Sequence, residues 1–351
     1  MKKYLLALLA LATWSTATKA QLPVNGATYF LPKTAVKFNI LIEKSQYTPG
    51  EIANYAGRYM KLDNVGTQPE TRYRIVGVTM RPVGLPDSTK QFTALIDKKH
   101  SIISLDRDEN GVLMAVNAKS VKPTAALPFR PGPKAKADNP HDYFTEDILA
   151  AANKPRMAEL IAQEITDIRD SRNQLSRGEA DFMPKDGEQL RLMLAQLARQ
   201  EKALMQVFLG TTVLDTLERE VTFTPEKDGE RTLVFRFSQH DGLVDADDLS
   251  GTPYYAQVED LHTVQTIKPM VENDGKKSKD DCGIAVNLPG KIKITLLNFT
   301  EPYASFELYA AQFGRVEPLS GELFGKKFTT HLLLNPVTGN VDRLDTEPLD
   351  K

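Results

Sequence analysis

Two runs of apolar residues at helical spacing, set between long stretches of strand-like sequence, constrain the fold of this chain most. The first run is Met157, Ile161, Ile165, Ile168 and Leu175, a stripe on the i, i+3, i+4 rule. Pro155 suits the first turn of its helix and Gly178 its end. The second run is Leu190, Leu194, Leu197, Leu204 and Phe208; Asp186 supplies its N-cap, with Gln189 three residues on, and Gly210 closes it. Helices of this length joined by roughly ten residues predict an antiparallel hairpin about 30 Å long. Arg172 and Glu201 each interrupt a stripe. With the turn near Asp181, Glu201 should lie opposite residue 161, roughly 15 Å from Arg172, so each is expected to reach water separately.

The flanking sequence reads as strand. Val36, Phe38, Ile40 and Ile42 alternate with more polar neighbours, the two-residue period that puts one face in a core. Pro49-Gly50 marks a turn, Glu51 to Met60 a brief helix carrying Tyr55 and Tyr59 on one side, and Tyr73 to Met80 the next strand. Ser101 to Asp106 and Val112 to Val116 flank Asn110-Gly111, a strong hairpin signal. Pro123, Pro128, Pro131, Pro133 and Pro140, with Lys134 and Lys136 among them, predict an extended linker. Beyond residue 219 strands return at 232–237, 254–258, 291–297, 304–309 and 329–334, and the charged stretch 272–281 reads as a mobile loop. The expected organisation is α+β: a leader over 1–20, an N-terminal β domain over 21–120, a linker over 121–142, the helical hairpin over 143–210 and a C-terminal β domain over 211–351. The β domains should be sandwich- or barrel-like.

Lys2 and Lys3, the apolar run Leu5 to Ala12, and Thr18-Lys19-Ala20 form a secretory signal peptide with cleavage expected before Gln21. Its apolar run is too short to span a bilayer, and no later segment offers a transmembrane helix. Removing residues 1–20 takes away three of the 44 bases and none of the 46 acids. The mature net charge of about −5 disfavours nucleic acid and anionic lipid as general partners. Cys282 is the one cysteine; it allows no intrachain disulfide and lies too far from the cleavage site to be a lipoprotein anchor. Trp14, the one tryptophan, falls in the leader, so a sugar-stacking surface would have to rest on tyrosine or phenylalanine.

Asp106-Arg107-Asp108-Glu109-Asn110-Gly111 matches the first half of an EF-hand loop, but the twelfth position holds Asn117 in place of the bidentate glutamate. A polar hairpin turn accounts for the segment and no metal site is assigned. His240 and Asp241, followed by Asp245, Asp247 and Asp248, form the densest acidic cluster near a histidine, where crowding could separate carboxyl pKa values for acid–base work. Tyr254 and Tyr255 follow as a candidate sugar- or peptide-binding ledge, unless they simply alternate between core and surface. His100, His141, His262 and His331 show no metal-ligand spacing, and Cys282, beside Asp280 and Asp281, is a poor nucleophile. There is no G-x-S-x-G, P-loop, H-E-x-x-H or dinucleotide glycine motif, and no cofactor is implied. At the hairpin's far end, Arg169, Asp170, Arg172, Asn173, Arg177, Glu179, Asp181 and Met183 could grip a partner protein or close the turn as a salt-bridged solvent face.

Several fragments resemble one exported family. They are Met157-Ala158-Glu159-Leu160, Glu164-Ile165, Asp167 to Asn173, Arg177 to Asp181 and Met183 to Gly187 in the helical region. Leu31-Pro32-Lys33-Thr34, Tyr47-Thr48-Pro49-Gly50, Gly242 to Leu249 and Gln312-Phe313-Gly314 match as well. The chain is thereby similar to domain-of-unknown-function group 4831 of Gram-negative gut anaerobes over nearly its whole mature length. One departure is Thr166, where the resemblance leads us to expect an aromatic residue. The resemblance implies export into a Gram-negative envelope, to the periplasm or the cell surface, and transfers no catalytic residue.

These readings favour a non-enzymatic envelope protein that binds another protein or a glycan. A hydrolase of envelope polymers would instead need His240 and the Asp245–Asp248 cluster gathered in one concave pocket. A purely architectural subunit would show an exposed apolar assembly patch.

Overall fold

A computed structural model describes residues 26–96, 100–121, 127, 129–132, 138–184, 186–265 and 281–348. The leader, most of the prolines and both lysines of the expected linker, Lys185, and residues 272–280 of the expected loop lie outside the described residues.

In chain order the elements are β1 (Gly26–Thr48), α1 (Ala56–Met60), β2 (Glu70–Leu95), β3 (Leu105–Arg107), β4 (Leu113–Val116) and α2 (Glu146–Leu149). The hairpin helices α3 (Lys154–Arg177) and α4 (Gly187–Leu209) follow, then β5 (Thr211–Phe223), β6 (Arg231–Ser238), β7 (Gly242–Val244) and β8 (Thr252–Asp260). The chain ends in β9 (Asp281–Asn298), β10 (Glu301–Ser320), β11 (Phe328–Leu334) and β12 (Val341–Pro348). Strands form three sheets, ordered β2-β1-β5, β10-β9-β8-β6-β7 and β12-β11-β4-β3. The α+β class and the helical hairpin between β-rich regions are as the sequence predicts.

β1 reaches well beyond the alternating run that announces it. Its Tyr29 and Leu31 pack with Ala94, Leu113, Cys282, Ile284, Phe324 and Leu332 in one core. Its Val36, Phe38, Ile40 and Ile42 pack with Phe235, Ile292, Ile294 and Leu296 in a second, between the three- and five-stranded sheets. Burying those four β1 side chains contributes roughly 6–12 kcal/mol of transfer free energy, an upper bound because the unfolded chain already hides some surface. The 23-residue strand therefore serves as a spine through two cores, and β9 and β10 run alongside it through the same pair. Sequence from before and after the hairpin is interleaved: β5 pairs with β1 from Val36↔Phe223 to Thr48↔Thr211, and β11 pairs with β4.

Where β1 passes from one core to the other, polar side chains replace apolar ones. Thr34 and Asn287 are fully buried. The Gln312 side chain accepts a hydrogen bond from Thr34 N at 2.9 Å and donates to Thr34 O at 2.8 Å and Pro225 O at 2.6 Å. Asn287 Nδ2 donates to Pro32 O and Thr338 O, each at 2.9 Å. The fragments Leu31–Thr34 and Gln312–Gly314 thus meet in space, nearly 280 residues apart in sequence. Beside them, β9 and β10 approach so closely that a Cβ on Gly314 would overlap Leu288 O, and one on Gly290 would overlap Phe313 O.

The third core lies in the hairpin, where Ile161, Ile165 and Ile168 face Leu204, Val207 and Phe208 over Ile52, Ala56 and Ile148. Caps fall where the sequence places them: Asn153 precedes Pro155, Gly178 ends α3 at φ 75°, and the Asp186 side chain accepts from Glu188 N. Thr166, in place of the expected aromatic, bonds its hydroxyl back to Ala162 O at 2.9 Å.

One expectation fails. Glu201 accepts from both Arg169 and Arg172, each at 2.6 Å. Separate contacts with water would follow from a turn symmetric about Asp181. Instead α4 is shifted by roughly 13 Å along the hairpin axis, which brings Glu201 level with the last third of α3. The same shift carries the start of α4 past the end of α3, so Leu190, Leu194 and Leu197 are only half-buried while Ala203 to Phe208 form the core face.

Candidate functional site

A concavity with convergent polar groups opens at one end of the sandwich, between β2 and the β6–β8 region, with a volume of about 670 Å³. One wall is Glu43 and Ser45 of β1 with Arg72 to Ile75 of β2; the other comes from the β6–β7 turn, β8, Asn298 and Tyr303. Tyr73 N donates to Gln239 O at 2.8 Å, which ties the two walls together. Ser238, almost fully buried, shapes the turn: its hydroxyl accepts from His240 N and Asp241 N and donates to the Asp241 carboxylate.

Tyr254 forms the floor. It is 6 % exposed, stacks on Phe235 with ring centroids 4.6 Å apart, and meets Tyr303 edge to face at 5.7 Å. No hydrogen bond to its hydroxyl is formed among the described residues. Burial, followed by the neighbouring Tyr303, pushes its phenol pKa above the ordinary value. Tyr303 reaches this position through an irregularity: pairing of β10 with β9 slips between Pro302 and Ala304, and Tyr303 is the extra residue. Such bulges re-aim a side chain, and this one leaves the Tyr303 ring 40 % exposed at the mouth.

His240 and Tyr254 are the two sequence candidates that line the cleft. Tyr255 points the other way, its ring under Arg231 at 4.5 Å, so the two tyrosines alternate across the strand. Asp245, Asp247 and Asp248 lie exposed on the turn between β7 and β8, outside the cleft lining. That turn is built by its own hydrogen bonds. Arg236 donates to Ala246 O and Gly251 O, and Asp248 accepts from Ser250 N at 2.9 Å. The Ser250 backbone and hydroxyl hold the Asp248 carboxyl below its usual range. The His/Asp pocket that a hydrolase would need is not assembled. The His240 ring bonds to no serine hydroxyl among the described residues, and no metal-holding group of three or more His, Cys, Asp or Glu occurs among them. Asp106 and Asp108 serve the β3–β4 hairpin: Asp108 accepts from Asn110 N and Val112 N, and Asp106 from Ser120.

At the hairpin, Arg169 and Arg172 are committed to Glu201, whereas Asp170, Asn173, Arg177, Glu179 and Asp181 are exposed and Met183 is half-buried. The apolar side chains Phe182, 74 % exposed, and Leu192 lie in this same region. Sequence reasoning missed Phe182, Tyr73, Asn298 and Tyr303. Of these only Tyr303 carried a signal, since Pro302 at the head of a strand favours an irregular pairing.

A family described as a domain of unknown function (DUF4831) matches residues 25–342, which covers all three cores. The chain belongs to DUF4831. No curated protein and no solved structure matches it. As a DUF4831 member it acquires a fold and no borrowed activity, so a functional reading rests on its own cleft. No described helix is long and apolar enough to cross a membrane.

Proposed function

We propose that this DUF4831 protein is a non-enzymatic binding protein of the bacterial envelope, and that it takes a glycan in the cleft between β2 and the β6–β8 region. The observation that carries the reading is the Tyr254–Tyr303 pair: a largely buried ring whose hydroxyl faces the cleft without a protein partner, beneath a half-open aromatic ring. A sugar offers hydroxyls to the first and C–H faces to the second. Concave sites with a few convergent polar groups are where small ligands bind. The signal peptide supports placement outside the cytoplasm. Binding of the purified full chain to an array of envelope and dietary glycans tests the proposal. Retention of at least one glycan, lost on Tyr303→Ala, supports it; retention unaffected by Tyr303→Ala places the ligand elsewhere and ends the cleft reading.

A second reading has its own observation. Phe182 and Leu192 expose apolar surface near the charged residues Arg177, Glu179 and Asp181, a mixture suited to a protein partner. Charge reversal at Arg169 or Arg172 would break the bonds to Glu201 and confound a binding test. The clean variant is Phe182→Ser with Arg177→Glu. Cross-linking to an envelope partner should fall while thermal unfolding stays unchanged; unchanged capture refutes the reading.

A further inference from the structure

We propose that the cleft selects uncharged saccharides over acidic ones. The inference rests on the glycan reading above and adds its specificity. The two guanidinium groups in the lining already have carboxylate partners. Arg74 donates to Glu43 at 2.7 Å, and the two residues face each other directly in the β1–β2 register. Arg72 donates to Glu70 at 2.6 Å. A sugar carboxylate reaching either arginine therefore meets a guanidinium whose charge a neighbouring carboxylate already offsets. The Glu43 side chain, 22 % exposed, itself lines the cleft and repels an incoming anion.

Beside these compensated charges the cleft offers uncharged hydrogen-bonding capacity. The hydroxyls of Tyr254 and Tyr303 and the side-chain amide of Asn298 form no hydrogen bonds among the described residues, and all three line the same cavity. A hydroxyl both donates and accepts, and an amide supplies two donors and an acceptor, so the trio matches vicinal sugar hydroxyls. With Tyr254 at the floor and Tyr303 at the mouth, these groups reach from the base of the cleft to its opening.

The test uses the purified full chain on an array of neutral oligosaccharides and their uronic- and sialic-acid counterparts, followed by calorimetric titration of the retained compounds at low and high salt. Neutral saccharides should be retained, with affinity changing less than about twofold between 0.05 and 0.5 M NaCl, since no net charge is exchanged. Tyr254→Phe, which keeps the stack and removes one hydroxyl, should weaken binding about tenfold. Retention of acidic saccharides in preference to neutral ones, with affinity falling steeply in salt, overturns the specificity and leaves the glycan reading standing. Retention of neither class, or binding unmoved by both Tyr254→Phe and Tyr303→Ala, overturns the glycan reading itself.

Discussion

Replacing Gln312 should loosen the joint between the two sandwich-region cores. Its amide makes three hydrogen bonds, two of them to the backbone of Thr34, which is fully buried, and one to the carbonyl of buried Pro225. Gln312→Ala leaves one N–H and two C=O groups without their partner. An unsatisfied buried backbone group costs about 1–3 kcal/mol; water entering the vacated space recovers part of that, so the net loss should be about 3 kcal/mol. That corresponds to roughly a hundredfold shift in the folded-to-unfolded ratio. For a chain of this size, with a guanidinium m-value near 5 kcal/mol/M, the midpoint should fall by about 0.6 M. Gln312→Glu is the sharper probe. The carboxylate still accepts from Thr34 N but cannot donate to the two carbonyls that face it, so at neutral pH it should cost at least as much as alanine. Its deficit relative to wild type should narrow as the pH falls through the carboxylate range and the side chain regains a proton. Denaturation followed by far-ultraviolet circular dichroism reads both. A Gln312→Ala variant within about 0.5 kcal/mol of wild type, or a Glu variant indistinguishable from it, would refute the account of Gln312 as the bridge.

Glu201→Gln should destabilise by about 2 kcal/mol, discounted for the partial exposure of Arg169 and Arg172; Arg169→Ala and Arg172→Ala should each cost less, because Glu201 keeps one guanidinium, and a double-mutant cycle should show coupling. Gly314→Ala should cost more than 4 kcal/mol or prevent soluble expression, since β9 and β10 must separate to admit a methyl group; a normally stable variant would show that the close approach is dispensable. The Lys37 ammonium at 2.5 Å, helped by Arg81, holds the Glu220 carboxyl below its ordinary range. A depressed carboxyl adds stability above the unfolded value near 4.3 and loses it as the pH falls through the lower folded value. Discounted for the exposure of both side chains, Glu220→Gln should therefore cost up to about 1 kcal/mol at pH 7 and progressively less as the pH falls below the ordinary carboxylate range, and a deficit that grows in acid would contradict the pairing.

The local grammar of the chain was readable. Pro155, Gly178, Asp186 and Gly210 mark the helix ends because first-turn prolines, caps and left-handed glycines are local physics. Asn110-Gly111 likewise names its own turn. What sequence could not supply is pairing at long range. Nothing in Thr211–Phe223 says that its partner is β1, and nothing in Val36–Ile42 says that the strand continues to Gly26 and Thr48, since those extensions are specified by a different core. The Arg172–Glu201 contact was misjudged for a related reason: the axial shift of α4 is set by packing of Phe208 and Leu204 over Ile52 and α3, not by the connecting residues. In the cleft, His240 and Tyr254 were found as polar and aromatic punctuation. Asn298 and Tyr73 come from other strands, and only the folded sheets bring them alongside.

The spine also sets a timetable. β1 is synthesised well before its second sheet neighbour, which is not complete until residue 223. At 5–20 residues per second, about 10–40 s of synthesis separate the two. Through that interval the strand carrying Val36, Phe38, Ile40 and Ile42 can satisfy one edge with β2 while its other edge stays open to any extended chain nearby. The interior of this protein must therefore be guarded before it exists, by a holding chaperone or by delayed collapse, and the molecule's vulnerability to misassembly is concentrated in β1.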